Sequence, residues 1–204
     1  MDKIKNIVFD LGGVIMNLNV PKTIEKFERL GITNIVNSTG HHYTDSVFYD
    51  FEIGVVSEEE FVNKLLGMSN SNVTYKNVKE AWNAMILNMP KERIKLLISL
   101  KKNYRLFLLS NTNSIHQEKF EREFIINNGY NFKDLFNKVY YSHQVGIRKP
   151  EEKIFRFVLK SSKIEAKETL FIDDSFENIE VAQKAGIQTY HINSKNTLNS
   201  LFNT

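Results

Sequence analysis

The chain has 204 residues, of which 42% are hydrophobic and 25% charged, and its formal net charge is +3. This composition is ordinary for a globular protein with one core, or with one core and an inserted subdomain, and it excludes a disordered chain. Lysines and acids are interleaved, which excludes a strong nucleic-acid footprint, and the lack of cysteine excludes disulfides, thiolate catalysis and cysteine zinc sites.

The first residues, "MDKIKNIVFDLGG", do not resemble a signal peptide, because the apolar run is short and is followed by an acid and glycines. No stretch of the sequence approaches the roughly 20 apolar residues that a membrane span needs. We therefore expect a soluble, cytoplasmic protein. The sequence does not indicate an oligomeric state.

Five short apolar segments predict the strands of a buried sheet. Most are rich in β-branched or aromatic residues, and polar residues bound each of them. The predicted strands cover residues 4–10, 104–112, 138–142, 169–174 and 187–192.

Amphipathic segments between these strands predict helices. "PKERIKLLISLKKN" and "PEEKIFRFVLKSSKI" each begin with a proline, Pro90 and Pro150, which is favoured in the first turn of a helix. "SFENIEVAQKAG" has Ser175 as a candidate N-cap and Gly186 at its end. Because strands and helices alternate, we predict an α/β fold with a doubly wound parallel sheet.

Residues 17–88 break this alternation. They contain no convincing strand, whereas "TIEKFERLG", "EEEFVNKLLG" and "YKNVKEAWNAMI" all have helical spacing. The segment is too long for a simple crossover between strands. We therefore predict an all-helical insert at 17–88 that covers the strand ends of a core formed by residues 1–16 and 89–204.

Polar side chains lie at or beyond the carboxyl ends of four of the five predicted strands. In an open parallel sheet, ligands bind beyond the carboxyl ends of the strands, so these side chains are expected to meet at one edge. The residues are Asp10 at the end of the first strand, Ser110, Asn111 and Thr112 at the end of the second, Arg148 and Lys149 in the segment that follows the third, and Asp173 and Asp174 at the end of the fourth.

Together these residue types suit phosphate chemistry. Paired carboxylates suit magnesium, and a lysine with a nearby hydroxyl suits the oxygens of a phosphate. Gly12 and Gly13 would allow backbone amides to approach an anion closely, and the Asp10 carboxylate could attack phosphorus. Any one of these residues alone is as well explained as a turn former, a helix cap or a solvated loop residue. Their ordered arrival at one edge favours a phosphate site.

The ordered set resembles the haloacid dehalogenase-like superfamily over nearly the whole chain. The first motif of that superfamily, hhhhDxDGT/V, is similar to "IVFDLGGV", with Asp10 as nucleophile and magnesium ligand. "LFLLSNT" resembles the second motif and supplies Ser110, and "GIRKPEEKIF" resembles the third and supplies Lys149. "LFIDDSFENIEVAQKAGI" resembles the fourth, with Asp173 and Asp174 as its acidic pair.

The insert resembles the small helical cap of the subfamily that contains phosphoglycolate phosphatase and β-phosphoglucomutase. "FYDFEIGVVSEEEFVNKL" is similar to the cap pattern E-x-G-x-x-S/T-x-x-E-F. "FDLG", "LSNTN", "G-x-RKP" and "DD-x-x-x-N" are most similar to bacterial α-D-glucose-1-phosphate phosphatases. The phosphatase domain of soluble epoxide hydrolases is a related branch.

This resemblance implies a magnesium-dependent phosphatase that forms an aspartyl-phosphate on Asp10. Its substrate would be a small phosphorylated metabolite, for example a sugar phosphate such as glucose 1-phosphate. The implied catalytic residues are Asp10, Lys149 and Ser110. The implied phosphate ligands are Ser110, Asn111, Lys149 and Gly13, and the implied magnesium ligands are Asp10, the Gly12 carbonyl, Asp173 and Asp174.

Gly12 departs from the pattern of the family's phosphatases, which usually have a second Asp there. That Asp protonates the leaving alcohol, a function typically worth about 100- to 10,000-fold in rate. We hypothesise that a sugar 1-phosphate, whose leaving oxygen is less basic, needs this proton less. The residues that could replace the missing acid are His41, His42, Asp45, Asp50, Glu52 and His143.

Three other functions remain open on the sequence. Haloacid dehalogenases also lack the second Asp, but they need neither magnesium nor the pair Asp173 and Asp174. A non-catalytic phosphate-binding protein would explain Gly12, although Asp10 and Lys149 argue against a decayed site. A phosphomutase is the weakest alternative, because mutases depend on the missing Asp.

Overall fold

A computed structural model describes residues 3–36 and 43–202 of the chain. Its described part contains one five-stranded parallel sheet. The strands are β1 (Asn6–Phe9), β2 (Arg105–Ser110), β3 (Lys138–Tyr141), β4 (Thr169–Asp173) and β5 (Gln188–His191). All five coincide with predicted strands, and their ends differ from the prediction by at most two residues.

The strand order is β3-β2-β1-β4-β5, with β1 in the centre. The chain builds the sheet outward from β1 on one side and then returns to the other side, so the carboxyl end of β1 is a topological switch point. In the register of the sheet, Phe9 faces Leu108 on β2 and Ile172 on β4. Asp10, the next residue, is therefore level with Asp173. The predicted α/β fold with a doubly wound sheet is confirmed.

Ten α-helices occur within the described residues. None of these helices has the combined length and apolarity that crossing a membrane requires. They are α1 (Val20–Arg29), α2 (Ser46–Glu52), α3 (Glu58–Met68), α4 (Tyr75–Trp82), α5 (Lys91–Leu100), α6 (Ser114–Asn128), α7 (Ser142–Val145), α8 (Glu152–Ser162), α9 (Phe176–Lys184) and α10 (Leu198–Phe202).

The core has two parts, one on each face of the sheet. Successive side chains of a strand point to opposite faces. Ile7 and Phe9 accordingly pack into one apolar cluster, whereas Val8 packs into the other with residues of α8 and α9. Because both faces of β1 are buried, its sequence is a continuous apolar run, as expected for a parallel strand.

Helices α1 to α4, here called the cap helices, all fall within the predicted insert. Trp82 lies at their centre, with Phe27, Phe48 and Phe61 as ring neighbours at centroid distances of 5.4 to 5.9 Å. The Trp82 indole also donates to Asn113 Oδ1 at 3.3 Å, which links the cap helices to the start of α6. The boundaries of the insert at 17–88 remain a prediction.

Candidate active site

Three carboxylates meet at the switch point of the sheet. Asp10 follows β1, Asp173 ends β4 and Asp174 is the next residue. Oxygen atoms of the three side chains lie within 4.8 Å of one another. Asp10 and Asp173 are buried, whereas Asp174 is exposed. A hard cation with oxygen ligands, such as magnesium, fits this donor set.

Lys149 lies between two of these carboxylates. Its side chain is only 2% exposed, and its Nζ is 2.6 Å from Asp10 Oδ1 and 2.6 Å from Asp173 Oδ2. Burial alone would lower the pKa of Lys149, but the charges of Asp10 and Asp173 raise it above its ordinary value. The side chain is therefore a permanent cation in contact with the carboxylate that sequence analysis selects as nucleophile.

Asn111 holds the backbone of Lys149 from both sides. Its Oδ1 accepts from the Lys149 N–H at 2.9 Å, and its Nδ2 donates to the Lys149 carbonyl at 2.9 Å. The side chain of Asn111, a predicted phosphate-binding residue, is therefore engaged in placing Lys149.

Asp173 is the most heavily bonded of the three acids. Oδ1 accepts from the Ser175 N–H at 2.8 Å and from Asn178 Nδ2 at 3.0 Å. Oδ2 accepts from Lys149 and from Asn178 Nδ2, the latter at 3.1 Å. Since a carboxylate offers about four lone-pair sites, little capacity remains for a cation. Asn178 was not among the predicted site residues, although the quoted pattern DD-x-x-x-N contains it.

Asp10 has an unusual pKa for a carboxyl group. Burial raises the pKa, Lys149 opposes the rise, and the charges of Asp173 and Asp174 add to it, so that it reaches about 7. A proton consequently competes with a metal ion for Asp10 near neutral pH.

The turn after β1 is closed by its own backbone. The Gly13 N–H donates to the Met16 carbonyl at 2.9 Å, so in this conformation it is not available to a phosphate. Gly13 has φ +72°, and a Cβ there would lie 2.0 Å from Asp174 Oδ2. The need for glycine at position 13 therefore comes from backbone conformation and from the space beside Asp174.

Other backbone groups are free to bind an anion. Among the residues that the structure describes, the N–H groups of Leu11, Gly12 and Asn111 have no hydrogen-bond acceptor. The Ser110 hydroxyl makes only a long contact of 3.5 Å, to the Asn111 carbonyl. The Gly12 carbonyl accepts no hydrogen bond from the described residues, so it remains available to a cation.

A cavity of about 180 Å³ lies between this edge of the sheet and the cap helices. It is small compared with ligand pockets of about 300 to 1,000 Å³, which favours a small substrate. Its lining combines apolar and polar side chains: Leu11, Gly12, Met16, Leu18, Val20, Tyr43, Glu52, Met85, Ile86, Ser110, Asn111, Thr112 and His116.

A second, more open cavity of about 670 Å³ lies on the β5 side of the carboxylates. Gly13 and Asp174 form part of its wall, together with Arg93 and His191. Of the three carboxylates, Asp174 alone lines this outer cavity, and none of the three lines the 180 Å³ cavity beneath the cap helices.

The six residues considered as replacements for the acid missing at Gly12 lie in different places. Glu52 lines the 180 Å³ cavity, whereas Asp45, Asp50 and His143 do not. Asp45 caps α2 by accepting from the Val47 N–H. Both ring nitrogens of His143 lie within 3.1 Å of oxygens of Thr112 and Gln117. His41 and His42 fall outside the described residues.

His116 lines the same cavity and was not singled out in the sequence. It is buried, and burial lowers its pKa to about 4, so the ring is neutral. Nε2 lies 3.0 Å from the Trp82 carbonyl, and Nδ1 lies 3.2 Å from Asn113 Nδ2. Both nitrogens are thus engaged, and the ring, which stacks on Trp82, forms part of the cavity wall.

The sequence and the structure both match known proteins. The profile of the haloacid dehalogenase-like hydrolase family matches residues 4–186. D-ribitol-5-phosphate phosphatase of Bacteroides thetaiotaomicron is 32% identical over 187 residues, which is 92% of this chain and 91% of that protein. Glyceraldehyde 3-phosphate phosphatase of Methanothermobacter thermautotrophicus is 29% identical over 186 residues, 90% of this chain and 75% of that protein.

Among solved structures, the magnesium complex of a haloacid dehalogenase-family enzyme from Bacteroides thetaiotaomicron has a TM-score of 0.90 and 35% identity. The match covers 99% of this chain and 100% of that one. A complex of the same enzyme with magnesium and inorganic phosphate has a TM-score of 0.84 and 35% identity, and the match covers 98% of this chain and 99% of that one.

Proposed function

The chain belongs to the haloacid dehalogenase-like hydrolase family, and from this premise we propose that it is a magnesium-dependent phosphatase acting on a small, sugar-like phosphomonoester. The observation that carries the proposal is the contact between Lys149 and Asp10, at 2.6 Å, within a cluster of three carboxylates. A nucleophile, a phosphate-binding cation and a metal site are thereby combined at one edge of the sheet.

In the first step, the Asp10 carboxylate attacks phosphorus. A bond forms between a carboxylate oxygen and phosphorus while the bond from phosphorus to the ester oxygen breaks, and the ester oxygen leaves as an alkoxide that takes a proton from water. Lys149, the Ser110 hydroxyl and the free N–H groups of Leu11, Gly12 and Asn111 surround the transferring phosphoryl group. In the second step, water attacks the aspartyl-phosphate, releases inorganic phosphate and restores Asp10.

Magnesium would be held by Asp10, Asp174 and the Gly12 carbonyl. Asp173 would act through a water molecule, because its oxygens already accept from Lys149, Asn178 and the Ser175 N–H. The bound ion supplies positive charge that offsets the charge of the phosphoryl oxygens and of Asp10. Asp173 then serves chiefly to position Lys149.

The substrate class is a phosphorylated sugar or polyol. The matched relatives act on D-ribitol 5-phosphate and glyceraldehyde 3-phosphate, and the 180 Å³ cavity suits molecules of this size. The substrates of these relatives favour D-ribitol 5-phosphate over glucose 1-phosphate, the substrate suggested by the sequence motifs. Such charged metabolites do not cross membranes freely, so we expect the enzyme to act in the cytoplasm.

The leaving alcohol needs a proton that position 12 does not supply. A primary alkoxide, as released from a 5-phosphate, is more basic than the hemiacetal oxygen released from a sugar 1-phosphate. Water entering through the outer cavity beside Asp174 is one source of this proton.

The proposal is tested by measuring phosphate release from a panel with magnesium and with chelator. The panel contains D-ribitol 5-phosphate, glyceraldehyde 3-phosphate, glucose 1-phosphate and phosphoglycolate, and 2-chloropropionate tests for halide release by a dehalogenase. We expect phosphate release that chelator abolishes and that Asp10→Asn removes. Activity that survives both treatments, or halide release in place of phosphate release, contradicts the proposal.

A further inference from the structure

Glu52 is a buried acid of the cap helices at the cavity beneath them. It is the last residue of α2, is 8% exposed and lines the 180 Å³ cavity together with Gly12 and Ser110. Within the described residues, it is the only carboxylate among the cavity-lining side chains. Gly12, Ser110 and Asn111 line the cavity from the strand ends, and Glu52 lines it from the cap helices.

The Glu52 carboxylate has a charged partner but lacks hydrogen-bond donors. Arg148 Nη2 lies 3.0 Å from Glu52 Oε2, which is an ion pair, yet Oε2 accepts no hydrogen bond from the described residues. Arg148 Nε is also without an acceptor there, and the guanidinium lies over the Tyr49 ring at 4.7 Å. The charge is therefore offset while the hydrogen-bonding capacity of the carboxylate is largely unused.

A buried carboxylate without donors is unfavourable unless a ligand or water supplies them. Burial raises the pKa of Glu52, and the charges of Arg148 and Lys149 oppose the rise. A second phosphate or a carboxylate of the substrate would be repelled here. Neutral hydroxyl groups, by contrast, would donate the missing hydrogen bonds.

We propose that Glu52 accepts hydrogen bonds from the hydroxyl groups of the substrate and thereby selects polyhydroxylated phosphomonoesters. The inference rests on the proposed phosphatase function and identifies the residue that determines its substrate specificity. With the phosphoryl group at Ser110 and the N–H groups of Leu11 and Gly12, the carbon chain extends through the cavity toward Glu52. Arg148 is a positioning residue that holds the carboxylate at the wall.

The neighbouring backbone fixes the place of Glu52 against the core. Gly54, two residues later, has φ +72°, and a Cβ there would lie 2.2 Å from the carbonyl oxygen of His143 in α7. The turn after α2 therefore packs directly on the core. This contact and the Arg148 ion pair set the distance between Glu52 and the strand ends.

The test compares two substrates that differ only in hydroxyl groups. D-ribitol 5-phosphate and n-pentyl phosphate have five carbons and both release a primary alkoxide. We expect the wild-type protein to have a kcat/KM for the ribitol ester on the order of 10- to 100-fold higher, as for hydrogen bonds to a charged group. Glu52→Gln keeps the size of the side chain, and we expect it to reduce this ratio about tenfold, chiefly through KM.

The control is Glu59→Gln, which makes the same charge change at an exposed position of the cap helices outside the cavity. We expect it to keep the wild-type ratio. If Glu52→Gln lowers kcat/KM for both substrates by the same factor, Glu52 has a structural or proton-donating role, and the inference is overturned. A wild-type ratio near one would overturn it without any variant.

Failure of the proposed function gives a different result. If the wild-type protein releases phosphate from neither ester nor from the wider panel, the phosphatase proposal fails and the specificity inference fails with it. If both esters are hydrolysed without discrimination, the phosphatase proposal stands and only the role of Glu52 is refuted.

Discussion

The Nζ of Lys149 lies 2.6 Å from Asp10 Oδ1, with both side chains buried at the carboxyl edge of the sheet. A buried ion pair contributes little to net stability, because the desolvation penalty of the two charges is about as large as their Coulombic attraction. The pair is better explained by function, since Lys149 is placed where it can bind the phosphoryl group that Asp10 receives.

Asp10→Asn removes the nucleophile and keeps the shape of the side chain. We expect kcat for D-ribitol 5-phosphate to fall by at least about 1,000-fold, as for other removed nucleophiles. Asp134→Asn, at an exposed position in the turn before β3, is the control and should keep full activity. An Asp10→Asn variant with more than about a tenth of wild-type turnover would exclude an aspartyl-phosphate mechanism.

Lys149→Gln leaves two buried carboxylates without their cation. We expect the metal-free protein to lose about 3–5 kcal/mol of unfolding free energy, measured by urea denaturation. Magnesium should restore part of this loss, because it would neutralise Asp10, one of these two carboxylates. Lys153→Gln, which removes an exposed lysine on α8, should change stability by less than about 0.5 kcal/mol. An equally small effect of Lys149→Gln would show that water compensates the buried charges.

Gly13→Ala places a methyl group where Asp174 now lies. The Cβ would be 2.0 Å from Asp174 Oδ2, at a φ of +72° that alanine adopts only with strain. We expect weaker magnesium binding in a titration and a loss of activity that excess magnesium partly restores. Gly67→Ala is the matched control, since nothing lies within 4 Å of its Cβ in α3 and helix propensity favours alanine.

Gly12→Asp introduces the acid that position 12 lacks. The new Cβ would lie 2.5 Å from Leu18 Cδ1, which is the end of a flexible side chain that is 39% exposed and can move. We expect turnover of D-ribitol 5-phosphate to rise relative to glucose 1-phosphate, by up to about 100-fold, because the primary alkoxide needs the proton more. Gly12→Asn has the same bulk without the proton and should give no such change. Equal losses on both substrates would mean that the cavity requires glycine at this position.

Magnesium binding should depend on pH through Asp10. Burial, together with Asp173 and Asp174, raises the pKa of Asp10 from 3.8 to about 7 despite Lys149, so below pH 7 a proton occupies a group that magnesium needs. Affinity should therefore weaken by up to about tenfold per pH unit below 7, measured by titration calorimetry. Without magnesium, ionising Asp10 destabilises the fold as pH rises from about 4 to 7, because the unfolded chain releases this proton more easily. Asp10→Asn should remove the dependence of magnesium affinity on pH in this window.

Much of the fold could be predicted because its signals are local. The strands are short apolar runs because both faces of the sheet are buried. Ser175 was predicted as an N-cap, and its hydroxyl accepts from the Asn178 N–H. Helices α6, α7 and α10 were not predicted, and α2 was covered only by the prediction of an all-helical insert at 17–88. Helix α6 spans 15 residues and buries Ile115, Phe120 and Phe124, but Ile125 and Ile126 are exposed, so its apolar positions form no clear stripe.

The sequence by itself determined the fold class and the set of polar residues at the strand ends, since the alternation of strands and helices and their hydrophobic periodicity are local features of the chain. Only the tertiary structure decided how those residues are engaged. In the folded chain, the Asn111 side chain hydrogen-bonds to the backbone of Lys149, and the Gly13 N–H donates to the Met16 carbonyl. Asn178 donates to both oxygens of Asp173. Glu52 lines the cavity from a separate helix. The reason is that hydrogen-bond partners and burial depend on side chains far apart in the sequence, which no local pattern records.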